Sequence, residues 1–176
     1  MDVVSRICTA IRDIPDFPQS GILFKDITPI LLDPALCSDI VGAIHQDFSG
    51  QKIGGIVGVE SRGFLFGMML AQRFQVPFIP IRKKGKLPYR TVSYEYKLEY
   101  GSATMEMHED AIEPGTRMMV HDDLLATGGT AAAAAELIRH LRGEVAGFSF
   151  VVSLDFLNGR DKLNPYGAPV KALVSY

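Results

Sequence analysis

The stretch Arg117-Met-Met-Val-His-Asp-Asp-Leu-Leu-Ala-Thr-Gly-Gly-Thr130 decides how the rest of the chain reads. An apolar run ends in two adjacent acids, Asp122 and Asp123. A short loop of small residues and hydroxyls follows at 126–130, and residues 131–142 read as a helix. Backbone N–H groups at a helix N-terminus point into the loop before it, and the helix dipole there favours negative charge. A phosphate monoester is the natural occupant. The two acids would repel a phosphate, so they suit a neutral or cationic part of the same ligand, such as sugar hydroxyls or Mg2+. Together the two features describe a ribose 5-phosphate site.

Outward from that stretch, the chain supports one domain over its 176 residues. Hydrophobic residues make up 47%, enough for a packed core, and the net charge of −2 offers no bulk attraction to nucleic acid or to an anionic membrane. No apolar stretch approaches the ~20 residues of a membrane span, and the N-terminus lacks the basic start of a signal peptide. Cys8 and Cys37 lie in no metal-ligand pattern. Reduced thiols in the cytoplasm are the simple reading, with a Cys8–Cys37 disulfide as the alternative.

Apolar spacing predicts helices over 3–12, 34–48, 62–74 and 131–142, and strands over 53–59, 77–81, 117–121 and 145–154. Residues 14–34 read as loop, punctuated by prolines and glycines. Alternating strands and helices predict an α/β fold with a mostly parallel twisted sheet flanked by helices. Ligands in such sheets bind beyond the carboxyl ends of the strands, where the loops at 60–62, 82–86 and 126–130 all fall. Residues 83–106 break the rhythm and read as a two-stranded hairpin or a flexible flap.

Three constellations carry the chemistry. In 126–130, Gly128 and Gly129 let the backbone approach a ligand closely, and Thr127 and Thr130 add hydroxyls to Ala126 and the loop amides. Neither a Walker A lysine nor a Gly-x-Gly-x-x-Gly fingerprint is present. In Gly58-Val-Glu-Ser-Arg-Gly63, Arg62 opens a predicted helix, where a cation opposes the dipole unless an anion lies between them. In Ile81-Arg-Lys-Lys-Gly-Lys86, four cations crowd a strand end. Beside Arg62 they suggest a pyrophosphate, with Mg2+ sharing its charge. His121 has no second ligand at metal spacing and reads as a strand residue.

An apolar strand, two acids and a Thr-Gly-Gly-Thr loop resemble the signature of the type I phosphoribosyltransferases. Four further motifs are similar to the adenine-specific branch of that family: Asp16-Phe-Pro with Gly21-Ile-Leu-Phe-Lys-Asp-Ile-Thr-Pro29, Glu60-Ser-Arg-Gly-Phe-Leu-Phe-Gly67, Ile81-Arg-Lys-Lys-Gly-Lys-Leu-Pro88 and Leu98-Glu-Tyr-Gly101. The resemblance covers nearly the whole chain.

It implies the type I fold as a single domain over 1–176, with a small N-terminal hood at 1–34 that frames the base and a flap at 83–106. It implies transfer of 5-phosphoribosyl from phosphoribosyl pyrophosphate to adenine in purine salvage, giving AMP and pyrophosphate. By the same resemblance, Ala126, Thr127, Gly128, Gly129 and Thr130 hold the 5′-phosphate, and Asp122 and Asp123 face the ribose. Glu60, Ser61, Arg62, Arg82 and Lys86 form the pyrophosphate site, Leu23 and Lys25 frame adenine, and Glu99 exchanges a proton near N7. Mg2+ would be carried by substrate and water without direct protein ligands, and the protein would be a homodimer.

The chain departs from the family at His121, where relatives usually carry an apolar residue, and at Lys25, where some carry arginine. Two other functions share the motifs: a phosphoribosyltransferase for another purine, and a non-catalytic sensor of phosphoribosyl pyrophosphate. The sensor would normally need a DNA-reading segment, and no basic recognition helix is evident.

Overall fold

The computed structural model describes residues 1–97 and 101–176. Its centre is a seven-stranded sheet in the order β5-β6-β4-β3-β7-β8-β9, comprising β3 (Gly55–Val59), β4 (Phe78–Lys83), β5 (Thr91–Lys97), β6 (Ser102–His108), β7 (Arg117–Leu125), β8 (Glu144–Ser153) and β9 (Val170–Ser175). β4, β3, β7, β8 and β9 pair in parallel, while β5 and β6 add an antiparallel edge. The predicted mostly parallel α/β sheet is therefore the observed architecture. β3 is buried along its whole length, as a parallel strand covered on both faces must be.

The two faces of the sheet bury separate apolar layers. One joins Ile7, Ile40, Phe66, Leu70, Met119 and Val151, contributed largely by α1 (Val3–Ala10), α2 (Pro34–Asp47) and α3 (Gly63–Phe74). The other packs Val57, Ile81, Val120, Phe148 and Phe150 beneath the alanines and Leu137 of α4 (Gly129–His140). Alanines permit close approach of that helix to the sheet. Asp2 caps α1 through Ser5 N–H at 2.7 Å, and Asp33 caps α2 through Leu36 N–H at 2.9 Å.

Several elements differ from the sequence pattern: the helix expected at 3–12 stops at Ala10, with Arg12 already in a strand. Residues 14–34, expected as loop, contain much of an antiparallel hairpin of β1 (Arg12–Pro15) and β2 (Leu23–Asp26), then a 3-10 turn at Thr28–Leu32. Prolines are tolerated there because the hairpin is a separate two-stranded sheet whose edges need no further partner. β7, expected to stop before the acids, continues to Leu125 because β8 keeps pairing with it, Asp122 opposite Phe150 and Leu125 opposite Ser153. α4 begins at Gly129, two residues before the alanine run, because Ala132 N–H already reaches Gly128 O at 2.9 Å. Beyond Leu154, where the pattern analysis ends, three 3-10 turns lead to β9 on the edge of the sheet. Within the region at 83–106, β5 and β6 pair antiparallel, and β6 joins them to the main sheet through β4.

Cys8 and Cys37 are both free, Cys8 exposed and Cys37 buried. No helix among the described residues is long and apolar enough to cross a membrane.

Candidate active site

Because β3, β4 and β7 run in parallel, the segments that follow them gather on one edge of the sheet. At the end of β7 the chain turns through Gly128, whose φ of +75° is left-handed backbone that suits glycine. A Cβ on Gly128 would lie 2.3 Å from Gly159 O, and one on Gly159 would lie 2.1 Å from Ala126 O. The loop is thus braced from behind by backbone alone, and both positions require glycine. Residues 124–131, with Asp122 and Phe150, line a cavity of about 70 Å³. The amides of the first turn of α4 open toward the loop without intrahelical partners, as at any helix start.

The two acids occupy different environments. Asp123 is buried and accepts a 2.5 Å hydrogen bond from Arg62 Nε. Asp122 lies under the start of α3, where a Cβ on Gly63 would come within 2.9 Å of its Oδ1. Its Oδ1 also accepts Asp123 N–H at 2.9 Å. Burial, followed by the charge of Asp123, pushes the Asp122 carboxyl well above the usual carboxylate range. Arg62 loses stability as a cation through burial, but Asp123 and Asp122 outweigh that and raise its pKa. Glu60, Ser61, Arg62, Asp122 and Asp123 share a cleft of about 310 Å³.

Beside that cleft the basic turn after β4 is held by two carboxylates. Glu60 accepts Arg82 Nη2 at 3.1 Å, Lys86 Nζ at 2.8 Å and Lys83 N–H at 3.0 Å. Burial alone would raise the Glu60 carboxyl; these three donors prevail and bring it down to about 2. Glu106 on β6 accepts Lys86 N–H at 3.0 Å and Leu87 N–H at 2.8 Å. Arg82 Nη1 donates to Lys86 O at 3.1 Å, while its Nε is buried without a partner among the described residues. The arrangement presents several N–H donors on one rim and a carboxylate-flanked loop on the other, a layout suited to a ligand with two anionic ends.

Residues 27–171 match the profile of a family described as phosphoribosyl transferase domain. The chain belongs to the phosphoribosyltransferase family. A relative from Cytophaga hutchinsonii, named adenine phosphoribosyltransferase, is 52% identical over 97% of this chain and 94% of its own length. The crystal structure of adenine phosphoribosyltransferase from Thermoanaerobacter pseudethanolicus shares 46% identity and superposes with a TM-score of 0.95 over 98% of this chain and 99% of that one. The Saccharomyces cerevisiae enzyme, complexed with adenine and an imino-altritol bisphosphate, shares 43% identity with a TM-score of 0.91 over 97% and 98% of the two chains.

In this phosphoribosyltransferase the β1–β2 hairpin stands beside the acids, and alternation along β2 divides its residues. Lys25 turns away: its Nζ donates to Asp13 Oδ1 at 2.6 Å and lies 4.0 Å from the Tyr176 ring centroid. Leu23 is half-exposed. Phe24 faces the site, with the Arg62 guanidinium carbon 5.6 Å from its ring centroid and Phe17 packed edge-on at 5.2 Å. Any base contact by Lys25 in this conformation would therefore come from its backbone. Phe24 and Glu106 are absent from the sequence reading. Phe24 lay between the two residues the resemblance selected, and Glu106 is a single acid between two core methionines, visible only as a break in an apolar run. Glu99 lies outside the described residues.

His121 is fully buried on β7, and its Nδ1 shares a 3.2 Å hydrogen bond with Ser149 Oγ on β8. Its Nε2 has no partner among the described residues. Burial pushes its pKa down to about 4 despite the nearby Asp123 charge, so the ring is neutral near pH 7.

Proposed function

We propose that this protein transfers the 5-phosphoribosyl group of phosphoribosyl pyrophosphate to N9 of adenine, releasing AMP and pyrophosphate in purine salvage. The observation that carries the reading is the pairing of two dissimilar anion sites across one acid pair. A loop of backbone and hydroxyl donors lies at the end of β7, and the cations Arg62, Arg82 and Lys86 lie at the ends of β3 and β4. The kinship with adenine phosphoribosyltransferases, one of them holding adenine, supplies the base.

In this reading Ala126, Thr127, Gly128, Gly129 and Thr130 hold the 5′-phosphate. Asp122 and Asp123 face the ribose, where carboxylates stabilise positive charge as the bond from C1′ to the pyrophosphate oxygen breaks. The N9 lone pair forms the new bond to C1′, and the purine gives up a proton, assigned to Glu99. Arg62, Arg82 and Lys86 take up the charge left on pyrophosphate, with Ser61 in the loop beneath it. Glu60 orients two of these cations. The Phe24 ring offers a flat apolar face for a base, and the backbone around Leu23 and Lys25 offers polar groups that distinguish an amine from a carbonyl at purine position 6. A mismatched buried polar group there costs ~1–3 kcal/mol.

Mg2+ fits this site as a guest of the substrate: Glu60 and Asp123 are both tied to cations, and burial disfavours a charge on Asp122. When bound, it would neutralise charge on the departing pyrophosphate.

A cytoplasmic homodimer belongs to the same reading. Leu65, Met68 and Met69 are exposed together on α3, next to a groove of about 470 Å³ between α2 and α3 that includes Val41, and a second copy would cover them. Light scattering on the purified protein checks the mass. The cytoplasmic placement is supported by the two free thiols and by a substrate too charged to cross a membrane unaided.

The direct assay supplies adenine, Mg2+ and phosphoribosyl pyrophosphate and looks for AMP. Absence of AMP, or faster reaction of hypoxanthine than adenine, contradicts the proposal. Glu99→Gln should lower the maximal rate more than the affinity for adenine; an unchanged rate removes the proton-transfer role.

A further inference from the structure

Tyr96 stands on β5, three positions before Glu99 in sequence, and its side chain reaches the phosphate loop. Its hydroxyl lies 3.1 Å from Thr130 Oγ1, and its ring lies close enough to Gly129 that a Cβ there would sit 3.3 Å from two ring carbons. Thr130 is shared between two spaces: the small cavity inside the loop and a cleft of about 700 Å³ outside it, which Tyr96 also lines.

Proton counting gives this contact a direction. The Thr130 hydroxyl carries one proton and accepts through its lone pairs. A fully ionised phosphate oxygen only accepts. If the Thr130 proton goes to phosphate, its oxygen is left to accept, and Tyr96 is placed to donate. With Tyr96 donating, the Thr130 rotor has one useful orientation and its O–H is polarised toward the anion. Without that donor, Thr130 can spend its proton on another acceptor or on water.

Resting on the phosphate assignment above, we propose that Tyr96 is a positioning residue for the 5′-phosphate. Its O–H donates to Thr130 Oγ1 and so aims the Thr130 proton at the phosphate. The contact also ties the binding loop to the strand that leads to Glu99.

The test is a double-mutant cycle on Tyr96→Phe and Thr130→Val, with affinities measured for AMP, adenine and inorganic pyrophosphate and melting temperature recorded for each variant. Tyr96→Phe should weaken AMP about 3- to 10-fold, the range of one net hydrogen bond, and leave adenine and pyrophosphate unchanged. Thr130→Val should also weaken AMP, and the double variant should be no weaker than the worse single one, because both remove the same relay. Thr130→Ser keeps the hydroxyl and should preserve the effect of Tyr96→Phe. An AMP affinity untouched by Tyr96→Phe, equal losses for AMP and pyrophosphate, or single losses that multiply would each overturn the proposal. A wild-type protein that binds no AMP would instead overturn the phosphate assignment, and this relay with it.

Discussion

The loop proposed to hold phosphate and the cation cluster proposed to hold pyrophosphate flank the acid pair with opposite designs. The loop at 126–130 carries no ionisable side chain; its donors are amides and hydroxyls, and its shape is fixed by the contact between Gly128 and Gly159. The cluster at 60–62 and 82–86 is all charge, yet each of its proposed pyrophosphate cations is already held by an acid: Arg62 by Asp123, Arg82 and Lys86 by Glu60. A preformed cradle binds without exchanging partners. Paired cations must give up carboxylates before they can take a new anion, so binding there is coupled to whatever else engages those carboxylates. On the proposed assignment, the difference teaches how one substrate is held firmly at one end and released as a leaving group at the other.

The largest effect should come from breaking the cradle. Gly128→Ala places a Cβ against Gly159 O in a left-handed conformation. It should cost ~2–4 kcal/mol of stability and reduce turnover at least 100-fold, as read by thermal melts and AMP formation. Turnover near wild type would mean the loop does not hold the reacting sugar's phosphate. Asp122→Asn combined with Asp123→Asn should also nearly abolish turnover; wild-type rates would remove the ribose role.

Two single substitutions sharpen the contrast because they should act in opposite directions on pyrophosphate. Arg62→Ala should weaken inorganic pyrophosphate about 10- to 100-fold while sparing AMP, the scale of losing a charge-assisted contact. Asp123→Asn should impair turnover yet tighten pyrophosphate alone several-fold, because Arg62 no longer has a carboxylate to leave. If both variants weaken pyrophosphate equally, the ion pair is not in competition with the ligand.

How far these regions were legible in sequence follows the range of the interactions. The strand, acids, loop and start of α4 are contiguous, so an apolar run, two acids and two glycines reveal them without knowledge of the rest. The mostly parallel sense of the sheet followed from the alternation of elements, while the order of its strands did not. The pairing of Arg62 with Asp123 spans 61 positions, and that of Lys86 with Glu60 spans 26, and no local pattern encodes either. The hairpin of β1 and β2 was hidden by the prolines and glycines between its strands, and β9 by the irregular turns before it. On β2, a resemblance pointed to Lys25, but strand alternation sends its side chain to Asp13 and gives the inner face to Phe24.

A smaller effect tests the interior beneath the acids. His121 is neutral in the fold, with its pKa pushed from 6.5 to about 4. Its contribution to stability is complete above its unfolded value and is lost as pH falls from about 6.5 toward 4, amounting to ~3 kcal/mol at the low end. His121→Leu should flatten that part of the stability–pH curve, measured by urea unfolding at successive pH values. A curve that kept its slope would place the acid sensitivity elsewhere. The smallest effect is that of salt: raising ionic strength should weaken pyrophosphate more than ribose 5-phosphate, because only the first site relies on side-chain charge.

The central claim concerns where a nucleotide's phosphorus comes to rest. A crystal of the protein grown with AMP should place that atom within hydrogen-bond reach of the amides at 127–130, with the ribose hydroxyls turned to Asp122 and Asp123. Density for the phosphate at Arg62, Arg82 and Lys86 instead would contradict the account.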